Sequence, residues 1–187
     1  MVKKRACVFI SGKGTNLENL IKNSRNYNFP INIKLVITNN SKAEGLKIAK
    51  KNSIAFKIID IKKRSFENEI IKYLKIYNIS LICLAGYMQI ISKKFLKRYG
   101  KDIINIHPSL LPKYKGLNTF SRVIKNRDKK TGCSVHHVND KLDGGKIIIQ
   151  KSFEVNFDDK ENDLKIKTQK LEYLAFPEAI IELYRYN

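Results

Sequence analysis

Short apolar runs alternate with amphipathic stretches through the first hundred residues. Runs rich in β-branched and aliphatic residues predict strands at 6–10, 33–38, 55–59, 81–85 and 103–106. The stretches between them place apolar residues at helical spacing and predict helices at 15–24, 42–51, 66–77 and 93–99. This alternation predicts an α/β fold, a mostly parallel twisted sheet with helices on both faces. Past Pro108 and Pro112 the rhythm changes. Segments 134–138 and 146–155 read as two strands joined through "NDKLDGG", an antiparallel addition to the sheet. Residues 161–186 read as helical, with Pro177 marking a break or the start of a second helix. No repeat, low-complexity tract or Pro/Gly/Ser linker divides the chain, so one domain is expected over residues 1–187.

Composition adds limits. A chain of 187 residues with 43% hydrophobic content can bury a substantial core. The longest apolar run, "ISLICLAGYM", is too short to span a bilayer. "ACVFI" behind the basic Lys3, Lys4 and Arg5 is too short for a signal segment. The expectation is a soluble cytoplasmic protein with no membrane partner. Cys7, Cys83 and Cys133 lie in separate apolar segments with no C-x-x-C spacing, which fits reduced core thiols. The formal charge of +20 has two readings. It fits nucleic-acid binding, and it fits a lysine-rich composition that decorates every solvent face. The cations are dispersed, with no aromatic-interleaved basic stripe, so nucleic acid is not the expected partner. Such a field still attracts small polyanions.

"FISGKGTNL" ends the first predicted strand and opens the first helix. Gly12 and Gly14 permit backbone conformations closed to other residues, and a helix N-terminus presents unpaired N–H groups to an anion. A P-loop is excluded, since no glycine lies five residues before Gly12. A dinucleotide fingerprint is excluded by Leu17 and by the lack of an acid in Thr38-Asn39-Asn40. A plain tight turn and a phosphate cradle of Gly14, Thr15 and Asn16 are the two readings left.

"INIHPSLLPKYKG" delivers Asn105 and His107 from an apolar strand and then breaks at prolines. At i and i+2 these side chains share one face, at the strand end where α/β folds place their sites. A buried histidine satisfied by backbone is the plainer alternative. "NDKLDGG" carries Asp140 and Asp143, which a simple turn also explains. No G-x-S-x-G, H-E-x-x-H or paired C-x-x-C occurs. On a strand, His136 and His137 point to opposite faces, poor geometry for one metal, and no metal is expected.

Together "ISGKGTNL", "LAGYMQIIS", "NIHPSLLPKYKG" and "GCSVHHVNDKLDGGKIIIQ" resemble the glycinamide ribonucleotide (phosphoribosylglycinamide) formyltransferase family, in order and over nearly the whole chain. The resemblance implies a Rossmann-like formyltransferase fold and formyl transfer from 10-formyltetrahydrofolate to glycinamide ribonucleotide in purine biosynthesis. It implies Asn105, His107 and Asp143 as the catalytic trio, and Gly14, Thr15 and Asn16 at the phosphate. It implies Arg64, Met88, Gln89, Ile90, Ile91 and Asn105 at the folate, and Gln169 and Glu172 at the glycinamide substrate. Three positions depart from the family pattern: Asp102 stands where a basic residue is usual, Phe120 replaces a common His, and His137 an apolar residue. Two related families share the trio, methionyl-tRNA formyltransferase and formyltetrahydrofolate hydrolase. The first normally carries a C-terminal RNA-binding domain and the second an N-terminal regulatory one, and neither is expected in this chain.

The implied chemistry suits the residue types. As a primary amine attacks the formyl carbon, negative charge grows on the formyl oxygen. An Asn amide and a protonated imidazole can donate to it. A carboxylate favours the imidazolium and orients it. His107, directly or through water, can carry the proton from the amine to the departing nitrogen.

Overall fold

The structure is a computed structural model and describes residues 2–185. Seven strands lie in one mixed sheet of order β3-β2-β1-β4-β5-β6-β7. The chain forms two compact units, Met1–Ile104 and Asn105–Asn187.

In the first unit, β1 (Lys4–Ile10), β2 (Ile31–Thr38), β3 (Ala55–Ile58) and β4 (Leu81–Leu84) alternate with α1 (Thr15–Ser24), α2 (Gly45–Lys51), α3 (Phe66–Ile76) and α4 (Lys93–Tyr99). β2 and β4 both pair in parallel with β1, and β3 pairs in parallel with β2. Ala6 to Ile10 and Leu81 to Cys83 are wholly buried, as continuous apolar runs covered on both faces must be. The chain moves outward from β1 to β3 and then returns to the other side of β1 at β4. Right-handed crossovers therefore carry the helices to opposite faces, and a switch point opens beyond the carboxyl ends of β1 and β4.

The predicted elements of this unit are present, all within two residues of their expected bounds except α2. α2 begins at Gly45 rather than at 42, because Asn40 turns the chain first. Its side chain accepts from the Lys42 N–H (2.9 Å) and its carbonyl accepts from the Ala43 N–H (3.1 Å).

β5 (Asp102–His107) begins in the first unit and ends in the second. The second unit continues with α5 (Thr119–Lys125), β6 (Lys130–His137), β7 (Ile147–Glu154) and α6 (Glu161–Leu183). β6 and β7 pair antiparallel, as their pattern suggested, and α6 packs against both. The break expected at Pro177 does not occur, for α6 runs through it. Ala175, Phe176, Pro177, Ala179 and Ile180 are all buried, and this packing outweighs the one backbone donor that proline removes. The predicted helical end at Tyr186 lies outside the described residues. α5 was not evident from the pattern: it is seven residues long and buries just Thr119 and Val123. No helix among the described residues is long and apolar enough to cross a membrane.

Candidate active site

In the first unit two loops meet at the switch point. Gly14 caps α1 with φ 76°, and a Cβ there would stand 2.6 Å from the Gly45 Cα, so the turn requires glycine. Thr15 opens α1 and Asn16 is buried in its first turn. The second loop, 85–92, carries the residues expected at the folate. Ser11 ties the two together: its N–H donates to the Gly86 carbonyl (3.2 Å), and its hydroxyl accepts from the Met88 N–H (2.9 Å). That hydroxyl in turn donates to Asn39 Oδ1 (2.6 Å).

Glu67, in the first turn of α3, fixes the far end of the second loop. Its carboxylate accepts from the Ser92 hydroxyl (2.6 Å) and from the Ser92 N–H (3.1 Å), while Ser92 caps α4. Between these anchors Met88 and Ile90 are largely exposed, apolar side chains held outward on a fixed loop. Gln89 and Ile91 are half-buried, and Arg64 is exposed ahead of α3. Neither Ser11 nor Glu67 was singled out in the sequence. A serine and a carboxylate whose partners lie 77 and 25 residues away leave no local signal.

In the second unit Asn105 and His107 leave the end of β5 on one face, and Asp143 joins them from the β6–β7 connection. His107 Nδ1 is 3.4 Å from Asp143 Oδ2, and Asn105 Nδ2 donates to Asp143 Oδ1 at 3.4 Å. Asp143 sits at φ 43°, a left-handed conformation uncommon outside glycine. Gly145 holds the turn close to β6, where a Cβ would lie 1.7 Å from the His137 carbonyl oxygen. The "DGG" run is thus a turn, and it is also what carries Asp143 to His107.

A fourth side chain belongs to this cluster. His136 is buried, and its Nδ1–H donates to the His137 carbonyl (2.8 Å). Its Nε2 stands 3.1 Å from Asn105 Nδ2 and accepts from it when the ring is neutral. That contact orients the Asn105 amide with its nitrogen toward the histidine. Asp143 Oδ1 lies 3.6 Å from the same Nε2, an electrostatic rather than a hydrogen-bonding distance. In the sequence His136 and His137 stand as adjacent histidines of poor geometry for one metal. Among the described residues no group of three or more His, Cys, Asp or Glu is placed to hold a metal.

Burial lowers the proton affinity of His107 below that of an ordinary histidine. The Tyr114 carbonyl and the Asp143 carboxylate push it up, and His136 and Arg122 push it further down. For Asp143, burial favours the neutral acid. The His136 imidazole, the Gly116 N–H (2.8 Å) and the His107 charge outweigh this and hold the carboxyl below the usual carboxylate range. The cluster is therefore an ionised carboxylate against an imidazole whose proton is easily given up.

Gln169 and Glu172 are half-buried on α6, three residues apart and so on one side of that helix. Of the departures from the family pattern, Asp102 and Phe120 are half-buried, and His137 gives its carbonyl to His136.

A family model described as formyl transferase matches residues 4–180. Phosphoribosylglycinamide formyltransferase of Haemophilus influenzae is 39% identical over 181 residues, which cover 95% of this chain and 85% of that protein. The trifunctional purine biosynthetic protein adenosine-3 of Gallus gallus is 38% identical over 182 residues, and this chain spans 18% of its length. The crystal structure of phosphoribosylglycinamide formyltransferase from Brucella melitensis superposes with a TM-score of 0.92 at 34% identity, covering 100% of this chain and 97% of that one.

Proposed function

We propose, since the chain belongs to the formyl transferase family, that it passes the formyl group of 10-formyltetrahydrofolate to the amine of glycinamide ribonucleotide in purine biosynthesis. The observation that carries this reading is the cluster of Asn105, His107 and Asp143, two donors and a carboxylate at one strand end. Residues 1–187 act as one formyltransferase domain, a reading supported by the family match running through both units.

The amine attacks the formyl carbon directly. Asn105 Nδ2–H and the His107 imidazolium donate to the oxygen as its charge grows, His107 by sharing its Nδ1–H between Asp143 Oδ2 and that oxygen while Nε2–H stays on the Tyr114 carbonyl. Preorganised donors of this kind lower barriers by about 3–4 kcal/mol each. Both amide hydrogens of Asn105 are already directed, one at His136 and one at Asp143. The longer contact, to Asp143, is the weaker and is the one exchanged for the substrate oxygen. Asp143 stabilises the imidazolium; His107 gives a proton to the leaving folate nitrogen and regains one from the attacking amine, directly or through water.

Gly14, Thr15 and Asn16 hold the phosphate at the N-terminus of α1. Arg64 and the segment from Met88 to Ile91 hold the folate, with Asn105 shared, and Gln169 and Glu172 contact the glycinamide. The role of the positive charge is to draw in two anionic substrates, with no part for nucleic acid. No metal enters the reaction. A cytoplasmic setting accompanies this reading and is supported by three buried free thiols.

The test is to incubate the purified protein with both substrates and follow release of tetrahydrofolate. Turnover that His107→Ala greatly reduces, while leaving the unfolding transition intact, is expected. Wild-type protein that releases no tetrahydrofolate would overturn the reading.

A further inference from the structure

Residues Tyr114 to Gly116, just past the prolines, form a backbone splint between His107 and Asp143. His107 Nε2 lies 2.9 Å from the Tyr114 carbonyl oxygen. A carbonyl can only accept, so Nε2 carries a hydrogen and donates it. Two residues on, the Gly116 N–H donates to Asp143 Oδ2 (2.8 Å). One tight turn therefore grips both members of the pair.

Side chains outside the reacting group anchor this turn. The Tyr114 hydroxyl donates to Asp128 Oδ2 (2.8 Å) and accepts from Asn126 Nδ2 (2.9 Å). Arg122 lies over the Tyr114 ring at 4.9 Å and donates to the Lys115 carbonyl (2.7 Å). Lys113 pairs with Asp128 at 3.3 Å, and the Ser109 hydroxyl donates to the Lys113 carbonyl (2.6 Å). Tyr114 itself is held at φ 56°, a strained conformation for a tyrosine that the surrounding contacts must sustain.

The splint inverts the usual preference of a histidine beside a carboxylate. A neutral ring free to choose would put its hydrogen on Nδ1, toward Asp143. With Nε2–H held by the Tyr114 carbonyl, neutral His107 turns the lone pair of Nδ1 toward Asp143 Oδ2, 3.4 Å away, which is repulsive. Adding a second proton converts that repulsion into an ion pair.

We infer that Tyr114, anchored through its hydroxyl on Asp128, is a positioning residue that sets the tautomer of His107 and raises the ring's affinity for its second proton. The charged and titratable groups facing His107 are Asp143, His136 and Arg122, and Asp143 alone among them favours the charged ring. The splint adds a second favourable contribution against burial. Its catalytic consequence rests on the functional reading above, but its effect on the ring does not.

The experiment is a pH titration of the His107 ring nitrogens by ¹⁵N NMR, in wild type, Tyr114→Phe and Asp128→Ala. The signal is assigned by its loss in His107→Gln. Both variants should lower the proton affinity of His107 by roughly threefold or more, about half a pH unit. In both, the neutral ring should shift toward the Nδ1–H tautomer. In the formyl-transfer assay the alkaline limb of kcat should move to lower pH, with KM for both substrates nearly unchanged. Tyr114→Phe removes one hydroxyl and keeps the ring; if it fails to fold, Asp128→Ala carries the test. Unchanged tautomer and titration in a folded variant would overturn the inference. A wild-type protein without formyl transfer would overturn the functional reading and leave the titration result standing.

Discussion

His107 Nδ1 stands 3.4 Å from Asp143 Oδ2, although 36 residues separate them, and a turn built on Gly144 and Gly145 brings the carboxylate there. Replacing Asp143 by Asn keeps the shape and removes the charge that favours the imidazolium. We expect kcat to fall on the order of 10²–10³-fold, with substrate KM changing much less. Steady-state kinetics with purified Asp143→Asn checks this, and a variant within threefold of wild type would contradict it.

The proposed phosphate cradle makes a separate claim on Asn16, buried in the first turn of α1. Asn16→Ala should weaken binding of glycinamide ribonucleotide by about tenfold, the scale of one charge-assisted hydrogen bond. Folate affinity should hardly change. Isothermal titration with each substrate separates the two, and equal losses for both would count against the cradle.

Ser11 and Glu67 pin the two ends of the loop proposed to hold the folate, through Met88 and Ser92. Ser11→Ala and Glu67→Gln should raise KM for the formyl donor several-fold by unfixing Met88 to Ile91, with KM for the nucleotide unaffected. A loop that folds as well without these anchors would show no such split.

Burial depresses the proton affinity of His107, so the unfolded chain takes up its proton first as pH falls. Stability should be complete above the unfolded histidine value near pH 6.5 and decline as pH falls from there toward the lower folded value. Asp143, also depressed, adds a second loss below pH 4 as its carboxylate is protonated. Urea unfolding from pH 7.5 to 5 should show the first decline in wild type and a shallower one in His107→Gln.

Much of the fold was legible because buried parallel strands write continuous apolar runs, as in Ala6 to Ile10 and Leu81 to Cys83. Asn105 and His107 were legible as well, since period two puts them on one face and polar residues there break the run. Asp143 was visible as a turn, and the family resemblance proposed its pairing with His107. His136 was missed as a site residue because its partners come through space, from Asn105 and Asp143, while its neighbour His137 suggested a different pattern. α5 was missed because its cap, Asn118, uses a left-handed backbone and makes no side-chain capping bond. At Pro177 the local rule was overridden by burial, which no single-residue propensity contains.

The central claim is that glycinamide ribonucleotide is the acceptor. Wild-type protein given 10-formyltetrahydrofolate with both glycinamide ribonucleotide and methionyl-tRNA, its products resolved by mass, tests it most directly. Formylated glycinamide ribonucleotide with untouched methionyl-tRNA is the predicted result. Formyl-methionyl-tRNA without formylated nucleotide would contradict the account.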